Sequence, residues 1–428
     1  SGDLFHEDRN FGTPLSFATR TIGTAAAGLD GDARGGDRWQ AKVFAQWQTF
    51  RNETSQITPT PTNRQSEFRD RIQIIPSNDF GGTSHYRARI NDWSEVVVGA
   101  DARAIIGQSE DLLFTPSGPA GRTVARGKQV GGGVFGEWIL TPAERLTVVP
   151  SVRGDWWKNF DARIESAAGV VTRPADNVQT ALNPKLAAQY GLTERLRIGG
   201  SIYQAFRAPT LNELYRDFSF AGFAFLANPD LAPERLTGGD AKLEADLLPR
   251  RLTLRVTGHH DHVRDQIIFV TQNAFSTRRQ NVGRTRNDGA DVTLTATPHE
   301  WLALSLGYAY AYSIITSFPS DRTREGKRVP NVSAHQIVGT LTVGTLETAQ
   351  LTLMARYLSR QYADDLNLQP IADFVVVDAS LQRRLGRHWR VAVDAENLTD
   401  RQYVATQTGP IKTLGAPLVV MGSLRAEF

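Results

Sequence analysis

The sequence contains no cysteine, only two methionines and no long apolar run within its 428 residues. The absence of cysteine excludes a disulfide framework, thiol catalysis and cysteine-ligated zinc. Since a membrane-spanning helix needs roughly 18 or more apolar residues, none is predicted. Basic residues (48) barely outnumber acidic ones (45), and they are dispersed rather than gathered into a block. We therefore expect no nucleic-acid partner.

Signatures of catalysis are also missing. There is no G-x-S-x-G sequence, and no isolated pair of carboxylates stands out. Gly131–Gly136 (GGGVFG) matches the pattern G-x-G-x-x-G of dinucleotide-binding loops. The residues from Val134 to Leu140, however, read as a strand and not as the start of a helix, so the match is rejected. We expect no enzymatic activity and no cofactor.

What the sequence does contain is alternation of apolar and polar residues with a period of two. At the end of the chain, Leu418–Phe428 (LVVMGSLRAEF) places small and apolar residues on one face and mostly polar residues on the other. The same pattern recurs from Trp39–Trp47 to Trp389–Glu396, and no helical spacing of comparable length occurs. Strands with one face toward lipid and one toward a wet lumen have this pattern. The fold class predicted is an all-β, transmembrane, antiparallel up-and-down barrel.

The connections between the predicted strands alternate in length. Short turns, such as Ile90–Trp93 and Leu385–His388, alternate with longer polar stretches, such as Ser109–Thr123, Arg207–Arg235 and Ala363–Ile371. Short turns at one rim and long loops at the other are typical of outer-membrane barrels.

Tryptophan placement supports the same interpretation. Five of the eight tryptophans stand beside predicted short turns, where an interfacial girdle of aromatic residues belongs. The predicted girdle consists of Trp39, Trp93, Trp138, Trp301, Trp389 and the terminal Phe428.

The number of strands is the least regular feature. We count roughly 17 strands, within a range of about 16–18, beginning near Pro14–Gly28, whereas closed single-chain barrels have an even number. The odd count indicates either one miscounted hairpin or a chain that lacks its beginning, and we favour the second. Taken alone, the chain is then expected to form an open or poorly closed sheet, with no ladder between Phe17–Gly28 and Leu418–Phe428.

Four segments carry a family resemblance: Phe206–Tyr215 (FRAPTLNELY), Asn228–Glu234 (NPDLAPE), Glu396–Tyr403 (ENLTDRQY) and the terminal aromatic strand. Together with Phe5–Leu15 and Gln280–Ala290, they resemble TonB-dependent outer-membrane receptors. The resemblance implies a barrel of 22 strands, an N-terminal plug domain and a TonB box. It also implies uptake of a scarce external ligand, such as a ferric siderophore or another metal chelate, energised through TonB.

This sequence departs from that pattern at its N-terminus, where neither a plug nor a TonB box is visible. We therefore expect residues 1–428 to be the β-barrel domain of such a receptor, N-terminally truncated and without a plug. The expected location is the bacterial outer membrane. The expected partners are its lipid, an extracellular small molecule, and TonB through the missing segment. A passive, porin-like channel remains the alternative.

Candidate ligand-binding residues lie near the long loops. Arg207, Asn212, Glu213 and Tyr215 fall in the longest loop, where four phenylalanines (Phe218, Phe220, Phe223 and Phe225) could form a hydrophobic lip. A purely structural role for that loop is the favoured alternative. Polar residues near the outer ends of other strands complete the set: Asn281, Arg284 and Arg360. If they point inward, Arg284 and Arg286 could hold an anionic chelate such as a ferric siderophore; lumen salt bridges to acidic residues are an alternative of at least equal weight.

Two further clusters suggest metals only weakly. His260 and His262 share a strand face near His259, but two imidazoles do not complete a site. Asp364 and Asp365 read as a solvated loop tip, since they lack the oxygen-rich spacing of a Ca²⁺ loop. No metal site is expected.

Overall fold

The computed structural model describes residues 1–60, 63–220, 222–409 and 411–426. Phe428, predicted as part of the aromatic girdle, lies outside these residues, and so does the side chain of Phe220. The fold is almost entirely β, because alternation of apolar and polar residues continues through long segments that lack helical spacing.

Within the described residues the strands are β1 (Gly2–Thr13), β2 (Ser16–Asp32), β3 (Arg38–Thr60), β4 (Asn63–Asn91), β5 (Ser94–Thr115), β6 (Gly118–Ala143), β7 (Leu146–Glu165), β8 (Val171–Thr172), β9 (Asn177–Gly191), β10 (Leu196–Arg207), β11 (Phe218–Phe220), β12 (Phe223–Leu226), β13 (Glu234–Leu248), β14 (Leu252–Asn273), β15 (Ser276–His299), β16 (Leu302–Ser317), β17 (His335–Thr345), β18 (Ala349–Leu358), β19 (Gln361–Tyr362), β20 (Pro370–Ile371), β21 (Phe374–Leu385), β22 (Trp389–Glu396), β23 (Val404–Thr408), β24 (Ile411–Leu414) and β25 (Val419–Ala426). The helical elements are α1 (Leu211–Tyr215) and the 3-10 turns Arg34–Gly36 and Arg322–Arg324. No helix in the described ranges is long and apolar enough to cross a membrane.

One sheet contains 21 of these strands. Three of them, β8, β11 and β12, are short, which leaves 18 long strands that pair antiparallel with their neighbours in chain order. Two small hairpins, β19–β20 and β23–β24, belong to long loops. The predicted fold class, an all-β up-and-down barrel with 16–18 long strands, is confirmed.

The odd count was wrong by one strand. Gly2–Thr13 forms β1 and pairs with the first predicted strand through Asn10 and Phe17. The count is therefore even, and the argument from an odd count does not hold. Among the described residues β1 pairs only with β2, and β25 pairs only with β22.

The two rims differ as predicted, but the strands at the long-loop rim are longer than expected. Ser109–Thr123, predicted as a loop, continues β5 and β6 to a tight turn at residues 116 and 117. The longest strand, β4, has 29 residues, whereas about 9–11 tilted residues cross a bilayer. Several hairpins thus extend well beyond the membrane at this rim.

The two faces of the sheet differ in chemistry. On β10 and β13–β16 one face is apolar, and opposite residues of paired strands share it. We call it the apolar face; its members are Ile198, Ile202, Leu243, Leu254, Val256, Val292, Leu294, Leu304 and Leu306. The reverse face carries ion pairs, such as Arg197–Glu244 at 3.0 Å and Arg255–Glu244 at 3.4 Å. This arrangement fits lipid outside and a polar lumen inside.

The five described girdle tryptophans are between 38% and 50% exposed. Tryptophan is well buried on average in soluble proteins, so this exposure agrees with a position at the membrane interface. The girdle itself stays a prediction.

Candidate functional site

The long-loop rim is partly covered by residues 208–233, which we call the cover segment. It contains α1, β11 and β12 and runs from the end of β10 to the start of β13. It contacts the inner face of β6 and the ends of β14 and β15 at the long-loop rim.

Helix α1 is short but its N-terminus is fully capped. The Thr210 hydroxyl accepts from the Glu213 backbone N–H at 3.2 Å, and the Glu213 carboxylate accepts from the Thr210 N–H at 2.9 Å. This capping box satisfies two backbone donors that a helix start leaves open. It also fixes Leu214 and Tyr215 in a core with Leu231, where all three are at most 4% exposed.

Arg207, the last residue of β10, joins the two ends of the cover segment. Its guanidinium donates to Glu234 at 2.8 and 2.7 Å and to Glu213 at 2.9 and 3.3 Å. Burial would raise the pKa of Glu213, but the hydrogen bonds from Arg207 and the Thr210 backbone outweigh burial and hold that pKa below its ordinary value. The ionised carboxylate therefore stabilises the folded segment.

Close approach to the barrel wall depends on a glycine. A Cβ at Gly127 would lie 2.8 Å from the ring of Tyr215. Beside it, the Gln129 amide donates to the Pro209 carbonyl at 2.8 Å and to Asn159 at 2.7 Å. The cover segment is thus packed on the inner face of β6.

Asn281 holds the other side of the segment. Its amide donates to the carbonyls of Ala232, at 2.9 Å, and Asp265, at 2.6 Å, and its oxygen accepts from the Ala232 N–H at 2.9 Å. All three contacts are internal to the chain. A ligand-binding role for Arg207, Glu213, Tyr215 and Asn281 stays a prediction, since their polar groups or rings are already engaged in holding the segment.

A buried ion pair fastens two other loops. Arg324 pairs with Asp365, and these residues are 5% and 0% exposed. Asp365 also accepts from the Thr271 N–H and hydroxyl, the latter at 2.6 Å, and Arg324 donates to the Thr271 carbonyl at 2.7 Å. The expectation that Asp365 lies on a solvated loop tip was wrong. Asp364 instead caps the turn that follows, accepting from the Gln369 N–H at 2.7 Å.

Three phenylalanines form one wall of a cavity at this rim. The Phe225 ring lies 5.2 Å from Phe223 and 5.3 Å from Phe269, and the Arg279 guanidinium lies 3.6 Å from the centre of the Phe269 ring. Phe218 stacks on Phe225 at 4.5 Å. The predicted lip is therefore largely packed inward, with Phe223 and Phe225 only 8% and 7% exposed.

The cavity has a volume of about 770 Å³, within the usual range for small-molecule sites. Side-chain amides also line the cavity, and Gln407 is the most informative of them. Its Nε2 donates to Gln369 and Gly409, at 3.3 and 3.1 Å, while its buried Oε1 has no hydrogen-bond partner among the described residues. An orphaned acceptor in a cavity wall suits a ligand that donates a hydrogen bond. The other amides are Gln272, Asn273, Asn331 and Gln369.

The expectation of inward arginines was wrong. Arg284 and Arg286 lie opposite Arg264 and His262, on the same side of the sheet as Val256 and Leu254. They point away from the lumen because they stand an even number of residues from the apolar positions of β15.

Two other predicted ligand-binding residues are exposed. Asn212 accepts a hydrogen bond from Arg216 at 3.2 Å, and Arg360 lies between β18 and β19. A ligand-binding role for Asn212 and Arg360 stays a prediction.

The histidines of β14 lie together without completing a metal site. His260 Nδ1 lies 2.5 Å from the Asp288 carboxylate, and His260 Nε2 lies 3.1 Å from His262 Nε2. In the described part of the chain no group of three or more histidine, cysteine, aspartate or glutamate side chains is placed to hold a metal ion.

Sequence reasoning missed Phe269, Arg324 and Gln407 as parts of this site. Each lies in a segment that reads as ordinary strand or loop, and they meet only through contacts between distant loops. The one available signal was the richness of the long loops in phenylalanine and amide residues, which does not specify partners.

Comparison with known proteins gives consistent results. Residues 2–398 match the model of the TonB dependent receptor-like β-barrel family. The chain superposes on the ferric-catecholate import receptor Fiu of E. coli K12 with a TM-score of 0.77, at 13% identity, covering 98% of this chain and 65% of that one. It superposes on the siderophore receptor PiuA of Acinetobacter baumannii with a TM-score of 0.78, at 14% identity, covering 96% and 65%. The vitamin B12 transporter BtuB of Photobacterium profundum is 24% identical over 246 residues, which are 56% of this chain and 37% of that protein. The chain thus spans less than two thirds of the length of each relative.

Proposed function

Because the chain belongs to the TonB-dependent receptor β-barrel family of outer-membrane transport proteins, we propose that it captures an organic metal chelate, such as a ferric siderophore, from outside the cell. In the whole protein, energy from TonB drives the release of the ligand inward. The barrel is a receptor and transporter, and not an enzyme.

The observation that carries the ligand class is the cavity at the long-loop rim. The three phenylalanine rings and five side-chain amides in its lining suit a ligand with both flat apolar surfaces and hydrogen-bonding groups. A volume of about 770 Å³ accommodates an organic chelate rather than a bare ion. The Oε1 of Gln407, which has no hydrogen-bond partner in the described ranges, supplies an acceptor for a ligand N–H or O–H.

A passive, porin-like channel is the second candidate, and the cover segment argues against it. Residues 208–233 pack against the inner face of β6 through Pro209 and Tyr215, and so narrow the outer mouth. A channel selected for free diffusion would keep that space open.

The test is direct binding of a panel of ferric chelates to the purified protein in detergent, followed by calorimetry. For the chelate that binds, Phe225→Ala is expected to weaken binding about tenfold, because it leaves a void in the aromatic wall and frees the Phe223 and Phe269 rings that pack on Phe225. Gln407→Leu, which keeps the size and removes the acceptor, is expected to weaken binding about five- to tenfold.

The matched control is Phe80→Ala, which deletes the same side chain from an exposed position of β4. Equal losses of affinity in Phe225→Ala and Phe80→Ala would show that the chelate does not bind in the cavity. If no chelate binds and the protein conducts ions steadily in a planar bilayer, the passive channel replaces the receptor.

A further inference from the structure

A row of arginines crosses three adjacent strands on the outward side of the barrel. Arg264 of β14 lies directly opposite Arg235 of β13 and directly opposite Arg284 of β15. We call Arg235, Arg264 and Arg284 the arginine row. All three residues are exposed.

The row belongs to the same side of the sheet as the apolar face. The pairing of β14 with β15 is regular from Leu252 to Arg264, so residues an even number of positions apart point the same way. Arg264 thus follows Leu254 and Val256 along one face, and Arg284 follows Val292 and Leu294.

The position of the row along the strand places it at headgroup level. Counted from Leu252, where β14 begins at the short-turn rim, a spanning stretch of about 9–11 residues ends near His262. Arg264 is the next outward-facing residue.

The charges of the row are not balanced. Neither the Arg264 nor the Arg284 guanidinium has a hydrogen-bond or ion-pair partner among the described residues, and Arg235 donates only to the Thr180 carbonyl, at 3.1 Å. The carboxylate nearest along this face, Asp288, is already shared between Arg286, at 3.0 Å, and His260. Like charges directly opposite one another destabilise a sheet. An anion that binds between the arginines therefore relieves their repulsion.

We propose that the arginine row binds the phosphate group of a phosphorylated lipid in the outer leaflet. Planar guanidinium groups bind phosphate oxygens through paired hydrogen bonds, which a strongly hydrated ammonium does less well. Three such groups across adjacent strands, spaced about 4.7–5.5 Å apart in the backbone, match one phosphate or two neighbouring ones. The lipid would then brace the outer ends of β13–β15, beneath the loops that form the ligand cavity.

The experiment compares binding of a glycolipid that carries phosphate groups with binding of the same glycolipid after phosphatase treatment. The protein is placed in nanodiscs of a neutral phospholipid, and bound glycolipid is counted by native mass spectrometry. The unmodified protein is expected to retain the phosphorylated form and to lose about tenfold or more affinity for the dephosphorylated form, since charge-assisted hydrogen bonds are lost.

The variant Arg264→Gln/Arg284→Gln is expected to bind both forms equally weakly. Its control, Arg197→Gln/Arg255→Gln, removes two arginines from the lumen side of β10 and β14 and is expected to retain the lipid. Full retention by the first variant, or equal binding of the two lipid forms by the unmodified protein, would overturn the proposal.

Inorganic phosphate separates a lipid site from a site for the free ion. Added in excess to the unmodified protein, it is expected to leave the glycolipid bound, because the acyl chains remain against the apolar face. Complete displacement by inorganic phosphate would contradict a lipid site. This arm uses no substitution, so it decides the question even if the variants fold poorly. It is also independent of chelate binding, since the row lies outside the lumen.

Discussion

Ion pairs that are half-buried or fully buried hold the outer rim together. Arg207 and Arg324 each join segments that are distant in the chain, the first through Glu213 and Glu234, the second through Asp365. Removing one partner of a buried pair is costly, because the other charge loses its compensation. These residues therefore offer the sharpest tests of how the loops are held.

Acidification is expected to release the cover segment. The pKa of Glu213 is lower in the folded protein than in the unfolded chain, so its contribution is fully present above the unfolded value of about 4.3. That contribution is lost as the pH falls through the folded value. Hydrogen exchange of residues 208–233 should accelerate below about pH 4 relative to the exchange of β14.

Glu213→Gln provides the control for that measurement. At neutral pH it should weaken protection of the segment by about 1.5–3 kcal/mol, the worth of hydrogen bonds to a charged group. Its remaining pH dependence should be flatter. Identical pH profiles for the variant and the unmodified protein would show that another group titrates.

Asp365→Asn is expected to loosen two loops together. It leaves the Arg324 guanidinium buried without its counter-charge, at a cost of about 3–5 kcal/mol. Limited proteolysis should then cut within residues 318–334 and 363–371 faster than it does in the unmodified protein. Asp364→Asn, next to it but with backbone N–H partners only, should have a smaller effect; equal effects would argue against the buried pair.

At the scale of elements, packing of the cover segment depends on glycines in the barrel wall beneath it. Gly127 of β6 lies under Tyr215, and its neighbour across the ladder, Gly107 of β5, lies under Leu211. A flat, side-chain-free strip allows α1 to lie against the barrel wall.

Gly127→Val is expected to displace α1 without unfolding the barrel. The added side chain would occupy the place of the Tyr215 ring, and overpacking typically costs about 1–3 kcal/mol. The near-ultraviolet circular dichroism of the tyrosines should change while the strand signal stays constant. Gly136→Val, where a Cβ meets nothing within 4 Å, should leave both signals unchanged; a loss of strand signal in Gly127→Val alone would mean that the segment is part of the barrel's folding core.

The elements were largely predictable from the sequence, and the reason is local. Alternation in Leu302–Tyr312 or Trp389–Glu396 reports directly which face is wet, and short turns such as Leu385–His388 end strands through their own residues. The ends of β5 and β6 were harder to predict from the sequence. Ser109–Thr123 contains turn-forming residues, yet it continues the two strands because they pair with each other up to the turn.

The candidate site was less predictable than the strands. Phe225, Phe269 and Gln407 lie far apart in the chain and meet only when three loops fold together. The direction of Arg284 depends on a register set eight or more residues away, at the apolar positions Val292 and Leu294 of β15. A shift of one residue in that register reverses a side chain, which is why the inward assignment failed.

At the scale of the whole molecule, the two faces of the sheet determine where the protein resides. Val256 and Thr257 are adjacent on β14 but point to lipid and lumen respectively. Val256→Arg should destabilise the protein in bilayers by about 2–4 kcal/mol, the cost of a basic residue near the midplane. Thr257→Arg should change stability much less, since the lumen side of the sheet already carries Arg255 on β14 and Asp291 on β15. Equal costs, measured by denaturant unfolding, would contradict the assignment of the faces.

The most direct test of the account is the accessibility of single cysteines in cells that display the protein in the outer membrane. The sequence has no native cysteine, so Thr323→Cys, in the lining of the outer cavity, and Thr348→Cys, in a short turn, report without background. A membrane-impermeant maleimide added outside is expected to label Thr323→Cys only, and a bound ferric chelate is expected to slow that labelling. Labelling of Thr348→Cys in intact cells, or labelling of Thr323→Cys that no chelate slows, would contradict the orientation of the barrel or the location of its ligand.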